Sequence, residues 1–195
     1  MFVSKCDRCQ CLGWTFLSTE MPLISINPSL TFEIWAIDFI GPFPAPTRRT
    51  GARYILTSVD YVTKWAEAKP VKTFSSEVAP KFIYENIITR YGFPLTLISD
   101  QGSHFINKTI VAVTEQFKID HRRSTDYHPW FNGEIEAFHK TLTRGLTKIC
   151  NNEKEDRDEK IPTILWEYRT TYKRSTDQTP FRLVYAQESV VPLHF

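Results

Sequence analysis

From residue 30 onward the chain alternates short apolar runs with turn-forming interruptions. FEIWAIDFI (32–40) is an apolar run with Asp38 inside it, stopped by GPFPAP, where three prolines in six residues cannot continue a strand. ARYILTSVDYVTKWAEAKPV (52–71) is rich in Tyr, Val, Ile, Thr and Trp and is broken around Thr63-Lys64. That predicts two further strands joined by a tight turn, and with the first an antiparallel meander. SSEVAPKFIYENIITRYG (75–92) places Val78, Phe82, Ile83, Ile87 and Ile88 at helical spacing, with Ser75 or Ser76 as N-cap, Pro80 near the first turn and Gly92 as the stop. LTLISD (95–100) reads as a short buried strand ending on an acid, TIVAVTEQFK as a helix, and IDHRRST (119–125) as a strand. After a loop at 124–133, Ile135, Phe138, Leu142, Leu146 and Ile149 form one helical stripe. EKEDRDEK (153–160) reads as solvated surface, and a last helix spans about 161–173. Residues 1–30 are polar and turn-rich, which puts a domain boundary near residue 30.

Composition narrows the class. The chain has 195 residues, 42% hydrophobic and 14% aromatic, enough for one domain with a real core. It holds no apolar run of membrane-spanning length, and MFVSKCDRCQ lacks the apolar core of a signal peptide, so the expected setting is intracellular with no membrane partner. A net charge of +2 does not announce a nucleic-acid binder, so such a reading must rest on where the charges lie. Three of the four cysteines crowd into Cys6, Cys9 and Cys11, which suggests metal before disulfide.

The candidate chemistry is carboxylate chemistry. Asp38 lies inside an apolar strand, where an ionised carboxylate needs a cation or donors. Asp100 closes a second apolar strand in the same way. Each, taken singly, also reads as a strand-end acid capping the following backbone. Helical geometry separates the two glutamates that follow: Glu136 shares its flank with Lys140 and Thr143, whereas Glu134 lies on the other flank near Thr141 and Gly145. Glu136 is therefore the third carboxylate, and Glu134→Gln is expected to be nearly silent. Three carboxylates suit a hard cation, Mg²⁺ or Mn²⁺, and two such ions serve in-line displacement at a phosphodiester.

The blocks IWAIDFIGPFP, ILTSVDYVTKWAEA, LISDQGSHF, YHPWFNGEIEAFHKTL and LWEYRTTYKRSTDQTPFRLVYAQESVVPLH resemble, in the same order, those of the integrases of gypsy-type LTR retrotransposons, plant-type members nearest. The 35 residues between Asp100 and Glu136 match the spacing of that family's acidic triad. The resemblance implies an α/β, RNase H-like fold with a five-stranded mixed sheet flanked by helices. It places Asp38 and Asp100 on adjacent strands and Glu136 on a helix. It further implies that these three acids hold Mg²⁺ or Mn²⁺ in a polynucleotidyl transferase that trims the 3′ ends of the element and joins them to target DNA. DNA ends and target DNA as partners, a homo-oligomer and a nuclear site of action follow from the same resemblance.

SKCDRCQ resembles the second half of that family's zinc-binding HHCC module. Cys6 and Cys9 supply only two of four tetrahedral ligands, Cys11 is ill-spaced, and no zinc is expected here. Residues 1–30 then read as a remnant of that module with a linker, residues 31–195 as the catalytic core with a C-terminal helical extension, and the chain as a fragment of a polyprotein. Asn132, Gly133 and the row Lys140, Arg144 and Lys148 are the candidate DNA contacts. The clusters Lys118, His121, Arg122, Arg123 and Arg169, Lys173, Arg174 read equally as surface or phosphate contacts. Asp60 reads as a strand-end acid, His128 as a loop edge and His104 as a supporting polar residue. Departures from the family pattern are Asp126 for Pro, Trp130 and Phe131 for smaller or polar residues, and His139 for Asn. An inactive integrase-derived fragment that still binds nucleic acid or protein is the alternative reading, and an RNase H-like nuclease without strand transfer a third.

Overall fold

The expected meander is present: β1 (Ile34–Ile40), β2 (Tyr54–Asp60) and β3 (Ala66–Val71) pair antiparallel in chain order. The structure, a computed structural model, describes residues 30–190 except 103 and 124–132. Two short strands, β4 (Thr96–Ser99) and β5 (Asp120–Arg123), add parallel to the other side of β1, giving a five-stranded mixed sheet in the order β3-β2-β1-β4-β5. Asp60 closes the β2–β3 connection as a strand-end acid: it accepts hydrogen bonds from the Thr63 N–H and hydroxyl, both at 2.7 Å, and from Phe32 N at 3.0 Å.

Alternation along β1 divides the core into two layers. Trp35 and Ile37 face one side, where they pack with Phe82, Ile83, Ile87 and Ile88. These belong to helix α1, formed by three consecutive stretches, Val78–Phe82, a π-helical Ile83–Ile88 and Thr89–Tyr91. The widened turn was not legible in the spacing; it lets the adjacent residues Ile87 and Ile88 both reach the buried layer. Glu77, not Ser75 or Ser76, is the N-cap and makes no side-chain cap bond, while Gly92 does end the helix, with φ 91°. Helix α2 (Lys108–Gln116) is capped by the Asn107 side chain and leads into β5.

Ala36 faces the other side, against α3 (Gly133–Ile149) and α4 (Arg157–Thr170). Ile135, Phe138, Leu142 and Leu146 of the expected stripe are buried, but Ile149 is 40% exposed because the stripe outruns the helices it packs on. Gly145 lets α3 and α4 approach closely: a Cβ there would meet Ile164 at 3.1 Å.

The charged run at 153–160 corrects the surface reading. Helix α4 begins inside it, and Arg157 and Asp158 are only 3% and 4% exposed. Arg157 donates to the Ala45 and Lys154 carbonyls, and Asp158 Oδ2 accepts from the Thr50 N–H and hydroxyl, so local charge density concealed two buried groups with remote partners. The segment after α4 folds into a short helix α5 (Pro180–Tyr185) capped by Thr179.

Candidate active site

Asp38 shares the pleat parity of Ala36, so its side chain lies on the sheet face that α3 covers. β1 and β4 run parallel with Ala36 opposite Ile98, and two residues further along both strands bring Asp38 level with Asp100. Asp100 Oδ1 accepts from Gly102 N at 2.9 Å, a turn that redirects the chain after β4. Glu136 sits in the first turn of α3, exposed, one residue past the buried Ile135.

The charges of Asp100 and Glu136 both reach Asp38. Burial pushes the Asp38 carboxyl up to about 7 against the opposing hydrogen bond from Phe39 N at 2.7 Å, and the charges of Asp100 and Glu136 push in the same direction as burial. A carboxylate so placed resists ionisation until a cation arrives. Among the described residues no three His, Cys, Asp or Glu side chains stand close enough to share one ion, so the acids are neighbours without being drawn together.

Glu134 does face elsewhere, as the helical wheel indicates, and it has a partner that the wheel did not reveal. Its carboxylate lies 2.7 Å from Lys64 Nζ in the β2–β3 turn, and its charge helps raise the phenols of Tyr61 and Tyr168 after their burial. Lys64 also donates to the Tyr61 carbonyl at 2.7 Å. The pair fastens the start of α3, and with it Glu136, to the sheet.

Two histidines border the acids. The His139 ring, one helical turn after Glu136, lies with Nε2 2.7 Å from Thr57 Oγ1 and Nδ1 3.8 Å from Asp38 Oδ2. Thr57 pairs with Asp38 across β1 and β2, and its hydroxyl donates to the Asp38 carbonyl at 2.9 Å. Burial holds His139 down to about 4, so it is neutral. His104 Nε2 lies 3.7 Å from Asp100 Oδ1. Burial likewise lowers the His104 imidazole, with the Asp100 charge opposing. Sequence reading noted His139 only as a departure from a pattern. Its Glu-x-x-His spacing to Glu136 was the available signal.

Lys140, Arg144 and Lys148 lie on the exposed side of α3 and form no ion pair among the described residues. The second basic cluster resolves differently. Arg169 is a structural residue, 2.9 Å from Glu67 and stacked 4.3 Å over the Trp65 ring, and Lys173 sits over the Tyr168 ring at 3.4 Å. Arg122, in the first cluster, pairs with Asp120 at 2.7 Å. Gly133 is the first residue of α3; Cys6, Cys9, Cys11, Asp126, His128, Trp130, Phe131 and Asn132 lie outside the described residues.

The sequence pattern of the family described as Integrase core domain matches residues 29–129, just over half of the chain. The chain belongs to the integrase core domain family. Curated relatives are long polyproteins. The retrovirus-related Pol polyprotein from transposon 412 of Drosophila melanogaster is 30% identical over 194 residues, 100% of this chain and 16% of its own length. The Gag-Pol polyprotein of avian reticuloendotheliosis virus is 30% identical over 161 residues, 82% of this chain and 14% of its own length. The chain thus spans about a sixth of these relatives.

Solved structures agree on the fold. The catalytic core of HTLV-2 integrase, in complex with magnesium and in trimeric form, superposes with a TM-score of 0.63 at 18% identity, covering 80% of this chain and 99% of that one. A simian T-cell lymphotropic virus intasome in complex with the PP2A regulatory subunit B56 gamma gives 0.70 at 18% identity, covering 96% and 68%. This integrase core therefore has the RNase H-like fold, and its family is one of polynucleotidyl transferases that serve DNA integration.

Proposed function

We propose that this chain is the catalytic core of a retrotransposon integrase that trims element 3′ ends and joins them to target DNA, with Asp38, Asp100 and Glu136 as its metal-holding residues. The observation that carries this reading is the Asp38 carboxyl, pushed up to about 7 by burial and by the charges of Asp100 and Glu136. An acid whose ionisation is opposed by burial and by two neighbouring carboxylates fits a divalent cation, because two positive charges offset what the fold imposes on Asp38. The donor atoms of the three acids are all oxygens, the set that Mg²⁺ and Mn²⁺ prefer. When bound, such ions activate the attacking oxygen and stabilise the leaving oxygen at a phosphodiester.

The rest is done by the chain's own groups. The β1–β4 pairing sets Asp38 beside Asp100, and the Lys64–Glu134 pair holds the first turn of α3 so that Glu136 can close the set. Lys140, Arg144 and Lys148 continue from Glu136 along the exposed side of α3, where a phosphate backbone reaching the acids would pass. Gly133 at the helix start borders the same approach, and Asn132 is proposed with it as a DNA contact from its place in the sequence. Element ends and target DNA are the substrates on this reading, a homo-oligomer is the working form, the nucleus is the site of action, and residues 31–195 form the catalytic unit.

The test is incubation of the purified chain with Mn²⁺ and a duplex that mimics a DNA end, beside Glu136→Gln. Trimmed or joined products from the parent chain and none from the variant are the expected result. DNA binding without products, in a well-folded chain, would replace this reading with that of an inactive, binding-only integrase fragment.

A further inference from the structure

Three contacts fix the course of α3 along the sheet. Glu134 meets Lys64 beyond the end of β2, His139 meets Thr57 at its middle, and the chain just past the helix meets the loop before β2, where Arg48 N donates to the Glu155 carbonyl at 2.8 Å. Helix α3 therefore runs antiparallel to β2, from the strand's end to its start. Its exposed row Lys140, Arg144 and Lys148 leads from the level of Asp38, which pairs with Thr57, toward residues 45–53. From Glu136 to Lys148 the helix advances about 18 Å.

The loop at the end of this row carries exposed cations and is pinned from beneath. Arg48 and Arg49 lie exposed in a turn that Gly51 N closes on the Thr47 carbonyl at 2.8 Å. Thr50 donates to Asp158 Oδ2 through its N–H at 3.1 Å and its hydroxyl at 2.6 Å. Arg157 donates to the Ala45 carbonyl and stacks 4.5 Å over the Phe43 ring. Two more exposed cations flank the turn. Arg53 N donates to the Val71 carbonyl at 3.1 Å, continuing the β2–β3 pairing, which gives Arg53 the parity of Ile55 and Thr57 and hence the sheet face of Asp38. Lys72 Cε lies 3.6 Å from the place of a Cβ on Gly51. Of the acids in the adjoining charged run, Glu155 lies 3.4 Å from Arg48, which stays 81% exposed, Asp156 lies 3.9 Å from Lys160, and Asp158 is buried beneath the turn, leaving Glu153 and Glu159 to solvent. Arg49, Arg53 and Lys72 form no ion pair among the described residues.

We propose that Arg48, Arg49, Arg53 and Lys72 form a second contact for the DNA backbone, continuous with the row on α3, over which a duplex passes after leaving the acids. This rests on the reading of the chain as a DNA-joining integrase core. Guanidinium groups match phosphate oxygens in geometry as well as charge. A turn held in place by two buried charged side chains from a remote helix keeps its arginines presented before a partner arrives, so little freedom is lost on binding. Contacts of this kind fix the position of a duplex without reading its bases. A helix advance of about 18 Å corresponds to about five base pairs, so the turn meets the backbone beyond that distance from the end seated at the acids.

Hydroxyl-radical footprinting and salt titration of an end-mimicking duplex, with the purified chain, test this together. The parent chain should protect the terminal base pairs and a further stretch of backbone beyond about five base pairs from the end. The double variants Arg48→Ala with Arg49→Ala, and Arg53→Ala with Lys72→Ala, should each lose the far protection and keep the terminal one. Each should also lower the slope of log Kd against log salt by about two. Glu155→Gln, which frees Arg48 from its acid, should tighten binding. Far protection that persists in both double variants, a slope equal to that of the parent, or a loss that extends equally to the terminal base pairs overturns the proposal and leaves the integrase reading standing. A parent chain that protects no DNA removes both.

Discussion

Glu134 and Lys64 form a 2.7 Å ion pair between the first turn of α3 and the β2–β3 turn, with side chains 35% and 12% exposed. The two glutamates at the start of α3 thus do different work. Glu134 anchors the helix that presents Glu136.

Glu134→Gln should cost about 1 kcal/mol of stability, since the pair is partly shielded from water. Glu136→Gln should cost none, because it removes a charge that raises Asp38. Urea denaturation of both variants checks the contrast, and product formation should fall far more in Glu136→Gln. Equal stability of Glu134→Gln and the parent would return Glu134 to the silent residue that the helical wheel suggested.

Asp38 gives the chain a pH signature. Its folded-state value, about 7, lies above the unfolded value near about 4, so between these limits the folded chain binds the extra proton. Without added metal, this group therefore makes stability fall as pH rises from about 4 to about 7, by at most a few kcal/mol. Asp38→Asn should abolish that contribution, and Mn²⁺ should restore stability at neutral pH. Thermal melts across this range, with and without Mn²⁺, would show a parent profile parallel to that of the variant if Asp38 is not so placed.

Glu67 is the most heavily engaged carboxylate of the sheet. It accepts from Trp65 Nε1 at 3.0 Å and from the Tyr91 hydroxyl at 2.6 Å, and it lies 2.9 Å from both Arg90 and Arg169. Its side chain is nearly fully buried, so Glu67→Ala leaves several buried donors without an acceptor. A loss of about 3 kcal/mol, roughly 10 °C in Tm, is the expected result by calorimetry. A loss confined to DNA affinity would mean that Arg169 contacts phosphate instead.

Lys140, Arg144 and Lys148 should act on DNA as sequence-independent contacts. Replacing all three by Ala should weaken binding uniformly across sequences and reduce the salt dependence, log Kd against log salt, by about one per residue. Titrations of a labelled duplex at several salt concentrations measure this. An unchanged slope would place the phosphate path elsewhere.

Much of this protein was legible in the sequence. The runs around Asp38 and Asp100, the meander, the stripe on α3 and the different facing of Glu134 and Glu136 all follow from periodicities that the backbone imposes locally, period 2 in strands and 3.6 in helices. The family resemblance rests on residues in those same elements. The surface reading of 153–160 failed because it counted charges, and whether a charge is buried depends on which distant groups meet it: Asp158 is buried by Thr50, more than a hundred residues away in the chain.

The same reason separates the rest. Periodicity says which side a residue faces but not what stands opposite, and opposition across strands and between layers is set only when the chain has folded. Only the tertiary structure brought Lys64 to Glu134, Arg169 to Glu67, and the His139 ring between Thr57 and Asp38. The sequence by itself determined the elements that carry Asp38, Asp100 and Glu136. The fold decided their surroundings, because pKa values and ligand sets arise from contacts between residues that are remote in the chain.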